Sequence, residues 1–170
     1  SFRVLQILKE VDLIAAEDTR HTRKLLSHYN IHTPLTSFYE HNEIKKGEYL
    51  IRKIKEGANI ALVSKAGMPG ISDPGHFLIK RVIENQMRVI PVPGPCALVL
   101  ALVCSGFSTE RFVFEGFLGR TKKERMNKLK QLSLEKRTIV IYEAPHRIRK
   151  ILPEIREVLG ERQIAIAREL

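Results

Sequence analysis

The chain has 170 residues, of which 44% are hydrophobic and 28% charged, and its formal net charge is +10. These values exclude a disordered chain and favour a polyanionic partner such as nucleic acid. The apolar run from Cys96 to Cys104 is too short to span a bilayer and too closely spaced on one helix for a disulfide. We therefore expect a soluble cytoplasmic protein with two buried thiols and no membrane segment.

Strand-like and helix-like segments alternate along the first part of the chain. Short strands are predicted at 11–16, 35–39, 59–63 and 88–92. Helices are predicted at 19–29, 43–56, 75–85 and 95–104, and residues 1–8 read as the end of a further helix. This order predicts an α/β domain with a mainly parallel sheet and helices on its faces.

The character of the chain changes after residue 106. Strands are predicted at 111–117, 138–143 and 163–167, and helices at 122–132 and 145–159. We place a domain boundary near Ser108, which gives an N-terminal domain of residues 1–108 and a C-terminal α/β domain of residues 109–170.

The most informative segment is the loop of residues 64–75, which follows an apolar strand. Its glycines let the backbone approach a bound molecule, at Gly67, Gly70 and Gly75. Its polar groups are hydroxyls and a carboxylate, at Ser64, Ser72 and Asp73. No Walker A or G-x-G-x-x-G spacing occurs, so phosphate chemistry has no support here. The loop is predicted to bind a ligand, with a long structural turn as the alternative.

Polar residues also follow three of the predicted strands, where α/β sheets place functional groups. They stand after the strands at 11–16, 35–39 and 138–143, and comprise Glu17, Asp18, Arg20, His41, Asn42, Glu143, His146 and Arg147. Alternatives exist for single members of this set. Asp18 and Asn42 could cap the helices that follow them, and His146 could be an ordinary exposed histidine.

Basic residues are concentrated between Arg120 and Arg137, where eight of them are opposed by Glu124 and Glu135 alone. Such a cluster on a helix predicts contacts with nucleic-acid phosphates, with a solvated helix face as the alternative.

Six motifs, taken together and in this order, resemble one family. They are Ala-Glu-Asp-Thr-Arg (16–20), Glu-His-Asn-Glu (40–43), the loop within 61–75, Pro-Val-Pro-Gly-Pro (91–95), Phe-Glu-Gly-Phe-Leu (114–118) and Glu-Ala-Pro-His-Arg-Ile (143–148). The chain is similar to the bacterial ribosomal RNA small-subunit methyltransferase I family, which has the tetrapyrrole methylase fold. The resemblance implies a two-domain α/β fold with a mixed sheet in the second domain, and a homodimer. It also implies S-adenosylmethionine as cofactor and methyl transfer to the 2′-hydroxyl of a cytidine ribose in small-subunit (16S) ribosomal RNA or the assembled small subunit.

The resemblance assigns a cofactor role to residues of the loop and of one helix start. These residues are Ser64, Ala66, Gly67, Ser72, Asp73, Pro74, Gly75, Pro95, Cys96 and Ala97. It places Arg20, Asn42, His146 and Arg147 on the substrate side. Lys65 and Met68 depart from the family, which usually has Asp and Thr there. The family also has segments before and after the matched region, so the chain is expected to be a core fragment.

Methyl transfer to a ribose hydroxyl needs a group that accepts its proton, because the hydroxyl is a very weak acid. Carboxylates and imidazoles are the candidates, namely Glu17, Asp18, His41, Glu143 and His146, and we favour Asp18 and Glu143. Arg20 and Arg147 are expected to hold flanking phosphates. No metal site is predicted. The alternative functions are a methyltransferase for a small tetrapyrrole-type molecule and an RNA-binding module without cofactor.

Overall fold

Strand β1 (Leu13–Ala16) is the centre of the first sheet. In the computed structural model, which describes residues 1–169, the strands form one sheet of three strands and one of two. In the larger sheet, β2 (Leu35–Ser37) and β3 (Ile60–Val63) lie on either side of β1, and both pair with it in parallel. The sequence of β1 is apolar throughout, as expected for a central strand, because helices cover both of its faces and neither face contacts water.

Helices cover both faces of this sheet. They are α1 (Phe2–Glu10), α2 (Thr19–His28), α3 (Glu43–Lys55) and α4 (His76–Glu84), with a short 3-10 turn at Glu40–Asn42. Successive side chains of a strand point to opposite faces. Ile14 accordingly packs with Leu8 of α1 and Leu26 of α2, whereas Ala15 packs on the other face with Leu50 of α3.

The second unit begins at Cys96, and the first is Ser1–Pro95. It contains α5 (Ala97–Cys104), β4 (Phe112–Phe117), α6 (Lys122–Leu132), β5 (Thr138–Tyr142) and α7 (Ile148–Leu159). Strands β4 and β5 pair in parallel, with a bulge between Phe114 and Gly116. Leu118, Leu129 and Ile151 form the buried cluster of this unit.

The structure corrects several expectations about elements. The predicted strand at 88–92 belongs to no helix or strand of the structure, and Pro91 lacks the backbone donor that a strand would need there. Residues 163–167 are exposed and find no partner strand within residues 1–169. The sheet of the second unit is therefore parallel in the described chain, and the expected mixed sheet is not present. Helix α7 starts at Ile148 rather than at 145, after a turn in which Arg147 N–H donates to Ala144 O.

The division between the units falls before α5, upstream of the boundary expected near Ser108. Helix α5 groups with the second unit because its first turn is bonded to β5: the backbone N–H of Leu98 donates to the Tyr142 hydroxyl at 2.8 Å.

A buried ion pair fixes α6 against α7. Arg125, with 2% of its surface exposed, donates from Nε and Nη2 to the two carboxylate oxygens of Glu154 at 2.6 and 2.7 Å. Its Nη1 donates to the carbonyl oxygen of Arg120. The hydrogen bonds from Arg125 hold the pKa of Glu154 below its ordinary value.

Replacing Glu154 by Gln is expected to lower the Tm of the protein at pH 7 by on the order of 10 °C, because it leaves a buried guanidinium without its counter-charge. The lowered pKa means that the pair stabilises the fold above the ordinary pKa of Glu and loses this effect as pH falls through the folded-state pKa. The difference in Tm between wild type and Glu154→Gln should therefore shrink in acid. In Glu161→Gln, which breaks an exposed pair with Arg156, Tm should change little. Equal decreases in Tm for Glu154→Gln and Glu161→Gln would contradict the conclusion that burial makes the Arg125–Glu154 pair important for stability.

Candidate functional site

The carboxyl ends of β1, β2 and β3 meet at one edge of the first sheet, because the three strands are parallel. Glu17 follows β1 directly and joins it to the loop after β3. Its backbone N–H donates to Val63 O at 3.0 Å, and its Oε2 accepts from the backbone N–H of Lys65 at 2.8 Å. Glu17 therefore fixes the first residues of the loop 64–75.

The loop 64–75 has a backbone that depends on glycine. Gly67 and Gly70 have φ of +85° and +81°, in the left-handed region that L side chains rarely adopt. Gly75 has φ of +129°, and a Cβ there would lie 2.6 Å from Leu62 Cδ2. The loop is closed at this end by Glu43, whose Oε1 accepts from the Gly75 N–H at 3.1 Å.

The loop engages its own Ser64 hydroxyl but leaves two backbone donors without an acceptor in the described chain. The Ser64 hydroxyl lies 3.3 Å from the carbonyl oxygens of Ala66 and Gly67. Inside the loop, Ile71 N–H donates to Met68 O at 3.2 Å. The N–H groups of Ala66 and Gly67 donate to no acceptor in the part of the chain that the structure describes. Backbone donors held in this way can bind the polar groups of a small molecule.

The charges of two carboxylates, Glu17 and Asp73, act on each other in this site. Burial raises the pKa of Asp73 above its ordinary value, and the negative charge of Glu17 acts in the same direction. A hydrogen bond with Ser64 opposes both effects. Two carboxylates that repel each other favour a bound cation between or beside them. The site is therefore suited to a ligand with a positive charge.

Asp18 caps helix α2, which was the alternative to a catalytic role for this residue. Its Oδ1 accepts from the backbone N–H groups of Arg20 at 3.0 Å and His21 at 2.9 Å. These bonds, chiefly that from His21, lower its pKa below the ordinary value. A carboxylate with a lowered pKa is a weaker proton acceptor, so the role of Asp18 as general base loses support and stays a prediction.

Asn42 organises the chain after β2 rather than capping α3 with its side chain. Its Oδ1 accepts from the backbone N–H of Tyr39 at 2.8 Å, and its Nδ2 lies 3.4 Å from Ser37 O. His41 beside it is exposed, and its ring meets the Tyr39 ring edge-on at 6.3 Å. The substrate role of Asn42 and the catalytic role of His41 stay predictions.

The remaining residues assigned to the cofactor stand where, along the chain, the first unit ends and the second begins. Pro95 closes the first unit and is exposed, while Cys96 is the N-cap residue of α5 and Ala97 its first residue. Cys96 is half-buried, but Cys104 is exposed, so the expectation that both thiols are buried is wrong for Cys104. The reason is that α5 is apolar all round and exposes one of its faces, Val103 included.

Glu143 is the strongest catalytic candidate of the second unit. It follows β5, its side chain is 5% exposed, and its Oε1 accepts from the Ala144 N–H at 2.8 Å. The same oxygen lies 3.3 Å from Nε of Arg147. Its other oxygen, Oε2, is buried and has no hydrogen-bond partner within residues 1–169. A buried carboxylate oxygen without a donor is costly, and a substrate hydroxyl would supply that donor.

Arg147 holds Glu143 in place. Besides its contact with Glu143, it donates from Nη2 to Gly119 O at 2.9 Å, so it links the end of β5 to the loop after β4. This engagement makes Arg147 a positioning residue, and its expected phosphate contact stays a prediction. His146 and Arg20 are both exposed. Their roles in substrate binding also stay predictions.

The basic cluster on α6 is partly neutralised inside the protein. Arg125 is buried against Glu154, and Lys128 pairs with Glu115 at 2.9 Å and donates to Phe117 O. The lysines of α6 that face solvent without an ion pair in the described chain are Lys122, Lys123 and Lys130. The expectation that the whole cluster contacts phosphates is wrong for Arg125, because its charge serves a buried ion pair.

Sequence reasoning missed two residues that shape the sites. Glu43, the acceptor for Gly75 N–H, is the last residue of the Glu-His-Asn-Glu motif, and its place in the first turn of α3 was the available signal. Tyr142 accepts from Leu98 N–H and packs against the rings of Phe114 and Phe117. A tyrosine that ends an apolar strand gives no comparable signal.

The whole chain, residues 1–170, matches the family model of Tetrapyrrole (Corrin/Porphyrin) Methylases. The chain belongs to the tetrapyrrole methylase family. Its fold agrees with this: the crystal structure of the methyltransferase CobJ superposes with a TM-score of 0.60 at 16% identity, over 92% of this chain and 69% of that one.

Several curated relatives within the tetrapyrrole methylase family share the name ribosomal RNA small subunit methyltransferase I. The Synechocystis protein is 51% identical over 169 residues, 99% of this chain and 61% of the relative. Those of Haemophilus influenzae and Bacillus subtilis are 49% and 48% identical, over 60% and 58% of their own length. The chain thus spans about 60% of the length of these relatives.

Two kinds of feature are absent from the described residues. No helix among them is long and apolar enough to cross a membrane. Across residues 1–169, no group of three or more His, Cys, Asp or Glu side chains is arranged to hold a metal ion.

Proposed function

We propose that the protein is an S-adenosylmethionine-dependent methyltransferase that modifies the 2′-hydroxyl of a cytidine ribose in small-subunit ribosomal RNA. The observation that carries this proposal is the identity of 51% over 99% of this chain with a protein named ribosomal RNA small subunit methyltransferase I. The net charge of +10 supports a nucleic-acid substrate over a small tetrapyrrole. The small ribosomal subunit, in the cytoplasm, is the proposed partner.

The loop 64–75 fits S-adenosylmethionine in two ways. The free N–H groups of Ala66 and Gly67 suit its carboxylate or adenine acceptors, and the left-handed glycines keep side chains away from it. The carboxylates of Glu17 and Asp73 suit its positive charges, since a cation relieves their mutual repulsion. We assign the cofactor contacts to the loop, and further contacts to Pro95, Cys96 and Ala97.

The cofactor supplies a methyl group on a sulfonium that is already activated for transfer. The protein itself then has to orient the ribose hydroxyl, accept its proton and exclude water. We assign the proton to Glu143 Oε2, because this oxygen is buried and has no other donor in the described chain. Arg147 and the Ala144 N–H hold the opposite oxygen and so fix the direction of the free one.

The protein is also proposed to act as a homodimer. Helix α5 supports this, since Val99, Leu100 and Val103 are 52%, 43% and 68% exposed and would form an apolar contact surface. Sedimentation equilibrium of the protein in its full natural length checks the assembly, and a monomer at micromolar concentration would contradict it.

Isothermal titration calorimetry with S-adenosylmethionine tests the proposal against its alternatives. We expect saturable binding by the protein in its full natural length, with Lys65 and Met68 tolerated. Methyl transfer to small ribosomal subunits is then expected, and transfer to a tetrapyrrole acceptor instead would identify the small-molecule enzyme. RNA binding without any cofactor binding would identify a non-catalytic module.

A further inference from the structure

Helix α2 presents a stripe of basic side chains to solvent. Its members share one face, at spacings of three and four residues, and line a shallow depression: Arg20, Arg23, Lys24, Ser27 and His28. We call these five residues the α2 basic stripe. Thr22 and Leu26 are buried on the opposite face. The stripe is therefore a solvent-facing surface on a helix that is anchored to the first sheet.

The cations of the α2 basic stripe have no counter-charge. None of Arg20, Arg23 and Lys24 forms an ion pair with a carboxylate anywhere in residues 1–169. Helix α2 itself contains no acidic residue. The basic helix α6 differs, because two of its cations pair with Glu154 and Glu115 and its first turn carries Glu124. Within the described residues, helix α2 thus carries three cations without an ion pair and no acidic residue, whereas the cations in the middle of α6 are compensated.

The position and length of the stripe suit a nucleic-acid strand. It starts directly after Glu17 and Asp18, at the strand ends that form the candidate cofactor site. From Arg20 to His28 it runs for about 12 Å, which is long enough to contact consecutive phosphates of one strand. At its far end, the exposed rings of His28 and Tyr29 meet edge-on at 4.7 Å. Exposed rings beside cations are the groups on which unpaired bases stack.

We propose that the α2 basic stripe is a binding site for the phosphate backbone of single-stranded RNA, with Arg20, Arg23 and Lys24 as the phosphate ligands. This inference rests on the proposed function and deepens it by naming the surface that holds the substrate. It extends the phosphate contact expected of Arg20 along α2, and it gives α2 rather than the basic cluster of α6 the main phosphate contacts.

The test is the salt dependence of RNA binding by three variants of the protein in its full natural length. The first replaces Arg20, Arg23 and Lys24 by Gln, the second replaces Lys122, Lys123 and Lys130 of α6 by Gln, and the third is Arg20→Lys, Arg23→Lys and Lys24→Arg. Fluorescence anisotropy with a labelled single-stranded RNA oligonucleotide gives the affinity at several KCl concentrations. S-adenosylmethionine affinity and Tm report on the integrity of each variant.

The first variant should bind RNA at least about tenfold more weakly and should flatten the slope of log affinity against log salt by about 2, since each lost phosphate contact removes about 0.7. The charge-retaining variant should keep the wild-type slope, and the α6 variant should change it less than the α2 variant. A slope change in the α2 variant equal to or smaller than that in the α6 variant would overturn the inference.

Absence of RNA binding by the wild type would overturn the proposed function as well. Wild type that binds RNA but transfers no methyl group would contradict the proposed function alone, with the slopes still deciding the inference.

Discussion

Glu143→Gln is expected to lower the rate constant of methyl transfer by a factor of about 10²–10³, since an amide cannot accept the proton of the ribose hydroxyl. The wild-type side chain is positioned to accept that proton, because Oε1 is held by Ala144 N–H and Arg147, whereas Oε2 is buried and without a donor in the described chain. Gln has nearly the same shape, so the loss should fall on the chemical step. Single-turnover transfer from S-adenosylmethionine to small ribosomal subunits measures it.

Two further variants separate catalysis from structure. Glu143→Asp keeps a carboxylate but withdraws it, so its rate should lie between wild type and Glu143→Gln. Glu115→Gln removes another carboxylate of the same unit, one paired with Lys128 at the surface, and should change the rate by less than about twofold. A rate for Glu143→Gln within threefold of wild type would remove Glu143 from the reaction and return the question to Glu17, Asp18, His41 and His146.

The second large effect is expected at the cofactor loop. Gly67→Val forces a β-branched residue to φ of +85°, which costs at least about 1–2 kcal/mol and should weaken S-adenosylmethionine binding about tenfold or more. Gly57 offers a matched control, because it has φ of +97° with open space around it in the turn after α3. Gly57→Val should suffer similar strain and leave the affinity unchanged. Equal affinity losses in the two variants, measured by calorimetry, would contradict the ligand role of the loop.

The carboxylate pair predicts how cofactor affinity depends on pH. A bound cation favours the ionised form of Asp73, whose pKa burial and Glu17 raise in the free protein. Affinity should therefore fall as pH drops through the raised pKa of Asp73, where the neutral acid prevails. Asp73→Asn should bind more weakly than wild type at pH 7 and should lose most of this pH dependence. A wild-type affinity that is flat from pH 7 down to pH 4 would exclude the role of the pair.

The sequence predicted the parts of the fold that depend on local pattern. The strands before Glu17 and Ser64 are apolar runs that end in polar or glycine-rich segments, and both lie within a residue or two of their expected bounds. The stretch at 88–92 has the same apolar character but no neighbouring strand, and pairing is a non-local property that composition does not report. For the same reason, the apolar alternation at 163–167 led to a strand that the described chain does not form.

The sequence named candidate site residues, but it did not predict the contacts that those residues make. For Asp18 the sequence left helix capping and proton transfer as alternatives, and the bond from His21 N–H favours the cap. The spacing could not reveal that one oxygen of Glu143 is buried without a donor in the described chain. Charge was the least predictable property. Arg125 and Lys123 look equivalent on α6, yet one is buried against Glu154 and the other faces solvent, because partners from distant elements decide which cations are compensated.

The position of the transferred methyl group tests the central claim most directly. Small ribosomal subunits that lack the modification are incubated with the protein in its full natural length and S-adenosylmethionine labelled in its methyl group, and the RNA is then digested to nucleosides and separated by chromatography. We predict that the label elutes as 2′-O-methylcytidine, at no more than one per subunit, and that Glu143→Gln greatly slows its appearance. Label on a base, on ribosomal protein or only on an added tetrapyrrole, or no transfer at all, would contradict the account.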